Sequence, residues 1–222
     1  MNSIITIDGP VASGKSTVAR LLARKIGFNY LTSGLLYRTI AYAVLHDYPS
    51  CVIDDEHLST YVQPDRLTYT WDDDGQSHIL WDAIDITPLL KTPTIDACAS
   101  RLAERPIMRS FTLAMQRAIA YNNAIVAEGR DLGSVIFPDA KIKFFLTADI
   151  TVRAQRWQAL QKHLGIELSL QEAINLIEER DRRDRERALA PLIIPDNAII
   201  IDATHKTADD IVERMIECIK NS

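Results

Sequence analysis

The chain has 222 residues, 47% of them hydrophobic and 25% charged, with a formal net charge of −5. That apolar content suffices for a buried core, and the acidic balance excludes a general nucleic-acid or anionic-membrane surface while leaving room for a local basic pocket. Cys51, Cys98, Cys218 and the five histidines lack the spacing of a disulfide framework or a zinc site, no basic leader precedes the first strand, and no apolar run is long enough to span a membrane, so a reduced, cytoplasmic chain is expected.

Ile4, Ile5 and Ile7 predict a first strand, and Val18, Leu21, Leu22 and Ile26, closed by Gly27, predict the helix after it. Between them lie Gly9, Pro10, Val11, Ala12, Ser13, Gly14, Lys15, Ser16 and Thr17, the G-x-x-x-x-G-K-[ST] pattern of a phosphate-binding loop. The glycines allow a tight turn, loop N–H groups and the helix N-terminus form an anion cradle, Lys15 can reach the outer phosphates, and the Ser16 hydroxyl can bind Mg²⁺. Gly27–Leu31 reads as a second short strand running into Thr32-Ser33-Gly34, with Arg38 in the first turn of a helix extending to about His46. Hydroxyls at the end of a strand are where open α/β sheets place ligands, but a solvated arginine on a capped helix fits the Arg38 spacing equally well.

From Cys51 to Pro93 the alternation of strands and helices is interrupted. Arg66–Trp71 and His78–Ile84 read as two antiparallel strands joined by Asp72-Asp73-Asp74-Gly75, whose D-x-x-G spacing is a hairpin turn rather than a nucleotide switch. Thr94–Ala120 predicts two helices broken at Pro106, carrying Ser100, Arg101, Arg105, Arg109 and Arg117. The buried strand Ala124–Ala127 ends in Glu128-Gly129-Arg130-Asp131, charges whose desolvation requires a partner or a ligand. A further strand, Lys143–Leu146, and a long helix from Ile150 to His163 follow. Ser169-Leu170-Gln171-Glu172 then forms a capping box that opens a helix. That helix leads into Glu178–Arg187, which holds five arginines and five carboxylates and is either a solvated ion-pair helix or a lid closing over phosphates. The use of arginine without lysine, and the break at Ala190-Pro191-Leu192, favour the lid. Ala198–Asp202 is the last strand and Thr207–Lys220 the last helix. The expected fold is α/β: a five-stranded parallel sheet with helices on both faces, a small antiparallel β insertion and a short arginine-rich lid.

Ile7-Asp8-Gly9-Pro10 leading into Gly14-Lys15-Ser16-Thr17, then Ser33-Gly34 with Tyr37-Arg38, resembles bacterial cytidylate kinase. So do Gly129-Arg130-Asp131-Leu132-Gly133, Val135-Ile136-Phe137-Pro138-Asp139-Ala140, and Arg180-Asp181 through Arg187 to Ala190-Pro191-Leu192. The likeness spans essentially the whole chain. It implies one kinase domain over residues 1–222, with a core of about 1–32, 94–160 and 188–222, an acceptor region of about 33–93 and a lid of about 161–187. It implies Mg²⁺-assisted transfer of the ATP γ-phosphate to CMP or dCMP by a monomer that binds neither nucleic acid nor membrane. Gly9 to Thr17 would hold ATP. Arg38, Arg130 and Arg187 would engage the acceptor phosphate, Ser100, Arg109 and Asp131 would surround the cytosine, and Arg180 and Asp184 would lie near ribose and phosphates. Ser33 joins the substrate-binding set, and Lys15, Arg130, Arg180 and Arg187 carry the catalytic charge. The family usually has Asp where this chain has Thr32; Thr can still cap the helix, and the loss of a charge there is expected to be tolerated. Other small-acceptor kinases, for a different nucleoside monophosphate or a shikimate-like metabolite, are the nearest rivals, and the β insertion and the Gly-Arg-Asp segment argue against them. A nucleotide switch would need Asn-Lys-x-Asp, which does not occur.

Overall fold

The computed structural model describes residues 4–221. The isoleucine-rich run becomes strand β1 (Ile4–Asp8), followed by helix α1 (Lys15–Ile26), which ends on Gly27 in the left-handed conformation expected of a C-terminal glycine. Strand β2 (Asn29–Thr32) passes directly into α2 (Ser33–Asp47), and a short α3 (Asp55–Ser59) follows. The insertion contributes β3 (Leu67–Trp71), β4 (Ser77–Trp81) and β5 (Ile84–Asp85). Helices α4 (Pro93–Leu102) and α5 (Pro106–Ala120) each begin on a proline, which is favoured in a first turn and explains the break between them. The chain continues with β6 (Ile125–Gly129), β7 (Ile142–Thr147), α6 (Ile150–His163), α7 (Leu170–Glu186), β8 (Ile199–Asp202) and α8 (Ala208–Lys220). The expected capping box at Ser169 and Glu172 is formed.

Five strands make a parallel sheet in the order β2-β6-β1-β7-β8. Side chains alternate across β6: Val126 packs with α1 and α8, whereas Ile125 and Ala127 pack with the end of α5 and a helical turn at Leu132–Ile136. Both faces of the sheet are therefore covered, as a parallel sheet requires. The chain runs from β6 to β7 across the central β1, so the crevice beyond the carboxyl end of β1 is a topological switch point. The phosphate-binding loop opens into that crevice. A second apolar cluster joins α2, α4 and α5 to the β insertion.

The insertion differs from expectation in one respect. The run from His78 to Ile84 is not one strand but two, because Asp82 and Ala83 both adopt positive φ (48° and 66°) and turn the chain back, giving a three-stranded antiparallel sheet. Two successive positive-φ residues are a type I′ pattern, here without the Asn-Gly signature. The Asp72 turn is as read: its carboxylate accepts from Gln76 N, and Gly75 has φ 73°. Side chains of the insertion also reach β2. Trp71 Nε1 and Ser77 Oγ both donate to the Tyr30 carbonyl (2.6 and 2.7 Å), and Thr32 N donates to the Tyr69 hydroxyl (3.0 Å).

The cysteine reading, and with it the expectation of a reduced chain, is corrected: Cys51 and Cys98 form a disulfide, with Cα atoms 5.8 Å apart. No short motif announces it, because the packing of α2 against α4 closes a separation of 47 residues. Among the described residues no helix is long and apolar enough to cross a membrane.

Candidate active site

The loop after β1 owes its shape to close approach. At Gly9 (φ 151°) a Cβ would collide with the Leu146 carbonyl on β7, so only glycine lets the loop leave the sheet here. Gly14 (φ 100°) brings the chain to the start of α1, with Lys15 as its first residue. Lys15 Nζ is buried, donating to the Pro10 carbonyl (2.5 Å) and to Ser13 Oγ (3.2 Å). Burial, and then the neighbouring Arg130, hold its pKa well below the usual lysine range.

A cleft of about 810 Å³ joins this loop to the predicted acceptor residues. Val11 to Thr17, Ser33, Arg38, Ser100, Arg109, Arg130, Asp131, Arg180, Asp184 and Arg187 all line it. Gly9 and Pro10 do not; they lie behind the loop and shape it. Four of the cleft's arginines, Arg38, Arg109, Arg130 and Arg187, are held by carboxylates. Arg38 Nε donates to Asp96 (2.6 Å), Arg130 Nε to Asp184 (2.8 Å) and Arg109 Nη2 to Asp131 (2.5 Å). Arg187 lies 3.4 Å from Asp131 and 3.7 Å from Asp184. Arg180 has no hydrogen-bond or ion-pair partner among the described residues, and desolvation followed by repulsion from Arg130 lowers its pKa. Arg109 also donates to the Tyr37 hydroxyl at 2.6 Å, and Ser33 Oγ donates to the Glu128 carbonyl. Such an array can exchange carboxylate partners for phosphate oxygens, because guanidinium groups match both geometries.

A family model described as Cytidylate kinase matches residues 5–221. The chain belongs to the cytidylate kinase family. The Cytidylate kinase of Marinomonas sp. (strain MWYL1) is 40% identical over 210 residues, covering 95% of this chain and 92% of that protein. The Cytidylate kinase of Caldanaerobacter subterraneus subsp. tengcongensis is 37% identical over 218 residues, covering 98% and 95%. Among solved structures, an uncharacterized protein from Eubacterium ventriosum aligns over the whole of both chains with a TM-score of 0.54 and 14% identity, a likeness of fold alone.

In this member of the cytidylate kinase family, Thr32 does not cap α2 with its side chain, as the sequence suggested. Its hydroxyl turns instead to Glu128, donating to Oε1 at 2.5 Å. The cause is register: Thr32 and Glu128 are directly paired across β2 and β6. The same carboxylate oxygen accepts from Ser16 Oγ (3.2 Å) and the Tyr30 hydroxyl (3.3 Å). Glu128 therefore brings a carboxylate to the place where Thr32 lacks one. Its position at the end of a buried strand was visible in the sequence; its approach to Ser16 was not. Also missed was Asp8, a buried carboxylate that accepts from the N–H groups of Leu132 (2.8 Å) and Gly133 (2.7 Å) and so ties the start of the phosphate-binding loop to the Gly-Arg-Asp segment. Arg183, read only as part of the charged run, donates to Ser100 Oγ at 3.3 Å. The charged run proves two-sided: Asp181 and Asp184 are buried, whereas Arg182, Arg185 and Glu186 are exposed.

Proposed function

We propose that this chain transfers the γ-phosphate of ATP to CMP or dCMP, giving ADP and CDP or dCDP. The observation that carries the reading is that the triphosphate loop and the arginine cluster open into one cleft, while the Arg109–Asp131–Tyr37 group lines the same cleft beside them. Loop N–H groups and Lys15 hold the donor phosphates, with Lys15 swinging off the Pro10 carbonyl to follow the migrating group. Arg38, Arg130, Arg180 and Arg187 neutralise the acceptor phosphate, whose oxygen is already nucleophilic and needs no base. Arg109 donates to, and Asp131 accepts from, the edge of the cytosine, with Ser100 completing that set and Ser33 elsewhere in the substrate site. Asp184 keeps Arg130 and Arg187 aligned. Transfer of this kind rests on alignment and charge neutralisation, and α7 excludes the water that would otherwise compete as acceptor.

Hard oxygen donors at Ser16, Thr32 and Glu128 suit Mg²⁺, which takes few protein ligands and keeps the rest for water and phosphates. When bound, Mg²⁺ would neutralise phosphate charge, with Ser16 as a direct ligand and Glu128 orienting its shell. We further propose that residues of about 33–93 form the acceptor region, that about 161–187 form the lid, and that the chain acts as a monomer in the cytoplasm.

A coupled ADP-release assay with CMP, dCMP, UMP, AMP, dTMP and shikimate tests the reading. CMP and dCMP should give by far the highest kcat/KM; a preference for any other acceptor overturns it.

A further inference from the structure

The donor loop is not self-supporting. Gly9, Ala12 and Gly14 all have positive φ (151°, 56° and 100°), so its path depends on bonds from outside. Arg156 Nη1 donates to the Ser13 carbonyl at 3.2 Å, and two further bonds converge on Val11. Asp181 Oδ1, on α7, accepts from Val11 N at 3.0 Å. Arg153 Nη1, in the first turn of α6, donates to the Val11 carbonyl at 3.0 Å. The two side chains close on each other, Arg153 Nη1 to Asp181 Oδ2 at 2.6 Å, and are 7% and 2% exposed. Arg153 is itself anchored by Nε on the Ala148 carbonyl (3.1 Å). A buried ion pair is a weak source of net stability because both charges are desolvated. One that grips the N–H and the C=O of a single residue does something else: it fixes the orientation of two successive peptides in a loop whose N–H groups must face phosphates.

We infer that Arg153 and Asp181 are positioning residues for the donor loop, clamping the Val11 backbone so that the following N–H groups and Lys15 are preorganised for the triphosphate. The inference rests on the reading of Gly9–Thr17 as the ATP site. It separates these two residues from their neighbours: Arg180 and Asp184, on the same helix, line the cleft, whereas Asp181 and Arg153 act through Val11.

Asp181→Asn keeps an oxygen for the Val11 N–H but gives up the charge that holds Arg153, and Arg153→Lys keeps the charge but offers a single donor centre. The test measures KM for ATP and for CMP, thermal midpoint, and calorimetric affinity for a non-hydrolysable ATP analogue without acceptor. The expected result is an ATP KM and an analogue Kd raised about tenfold in Asp181→Asn, less in Arg153→Lys, as for loss of one charge-assisted bond, while the CMP KM moves less than about twofold. Unchanged analogue affinity with a lowered midpoint would make the pair a structural strut and overturn the inference, as would parallel rises in both KM values. Should Asp181→Asn not fold, Arg153→Lys carries the same test. Calorimetry separates the two readings: an unaltered chain that binds the analogue but leaves CMP unphosphorylated defeats the acceptor assignment and leaves the clamp to stand or fall on its own affinities. An unaltered chain that does not bind the analogue defeats both.

Discussion

Arg109→Met removes the cation from the acceptor-base group while keeping most of the side chain's bulk. Arg109 donates to the Tyr37 hydroxyl at 2.6 Å and to Asp131 at 2.5 Å, and the two charged side chains are only 10% and 6% exposed. In the proposed complex the guanidinium is also a donor to the acceptor base. Loss of one such charge-assisted bond costs about 1.5–3 kcal/mol, which is about 10- to 150-fold in CMP affinity. Folding stability falls too, because Asp131 loses its closest cation. Arg187 remains 3.4 Å away, so the loss should be smaller than the ~3–5 kcal/mol of a fully uncompensated buried charge. Burial already raises the Asp131 pKa, and Arg109 is the foremost influence opposing that rise. In the variant the carboxyl therefore titrates higher still. A carboxyl whose folded pKa lies above its unfolded value stabilises most when protonated, so the stability deficit should shrink as pH falls from neutral into the acid range. Steady-state kinetics with CMP and ATP varied in turn, and urea unfolding across that range, measure both effects. The reasoning is refuted if the two KM values rise together, if the CMP KM is unchanged, or if the stability deficit is independent of pH.

Two other predictions concern groups away from the acceptor base. Burial pushes the Asp8 carboxyl up to about 6 from 3.8, against the opposing bonds from Gly133 and Leu132. Its folded pKa is raised, so its contribution is greatest below about pH 4 and falls by about 3 kcal/mol as pH rises past 6; the difference in unfolding free energy between the unaltered chain and Asp8→Asn should follow that course, and a flat difference would refute it. The Cys51–Cys98 bridge closes a separation of 47 residues, for which chain entropy gives about 4 kcal/mol. Cys51→Ser should lower the unfolding free energy by up to that amount, and denatured, unreduced protein should titrate one thiol; three thiols would show the bridge absent.

Where the sequence was informative, local chemistry dictated the outcome. The glycines of the phosphate-binding loop, the capping box at Ser169, the Asp72–Gly75 turn and the proline that opens α5 each act through their own backbone, and each element forms where the residues place it. The candidate site residues came together as a set, nearly all of them lining one cleft. What was hidden depends on contacts made across the chain. The pairing of Cys51 with Cys98 needs the packing of α2 on α4, and the direction of the Thr32 hydroxyl needs the register of β2 with β6. The choice of partner for each arginine, Asp96 for Arg38 or Asp184 for Arg130, is likewise a tertiary fact that a charge run cannot express. The Asp82–Ala83 turn was missed for a different reason: Asp adopts positive φ comparatively often, but Ala in place of the usual Gly at the second position does not signal a turn.

The bonds from Tyr69, Trp71 and Ser77 to β2 carry a consequence for the behaviour of the protein in a crowded solution. β2 is an outer strand of the parallel sheet, and the polar backbone groups on its far side would ordinarily be a template for another chain to pair with. Here they are claimed by side chains: the Tyr30 carbonyl takes two donors and the Thr32 N–H gives its hydrogen to a phenol. The small antiparallel sheet thus guards an edge as well as bordering the cleft, and loosening it would expose an open strand next to Glu128, turning a local change into a route to aggregation.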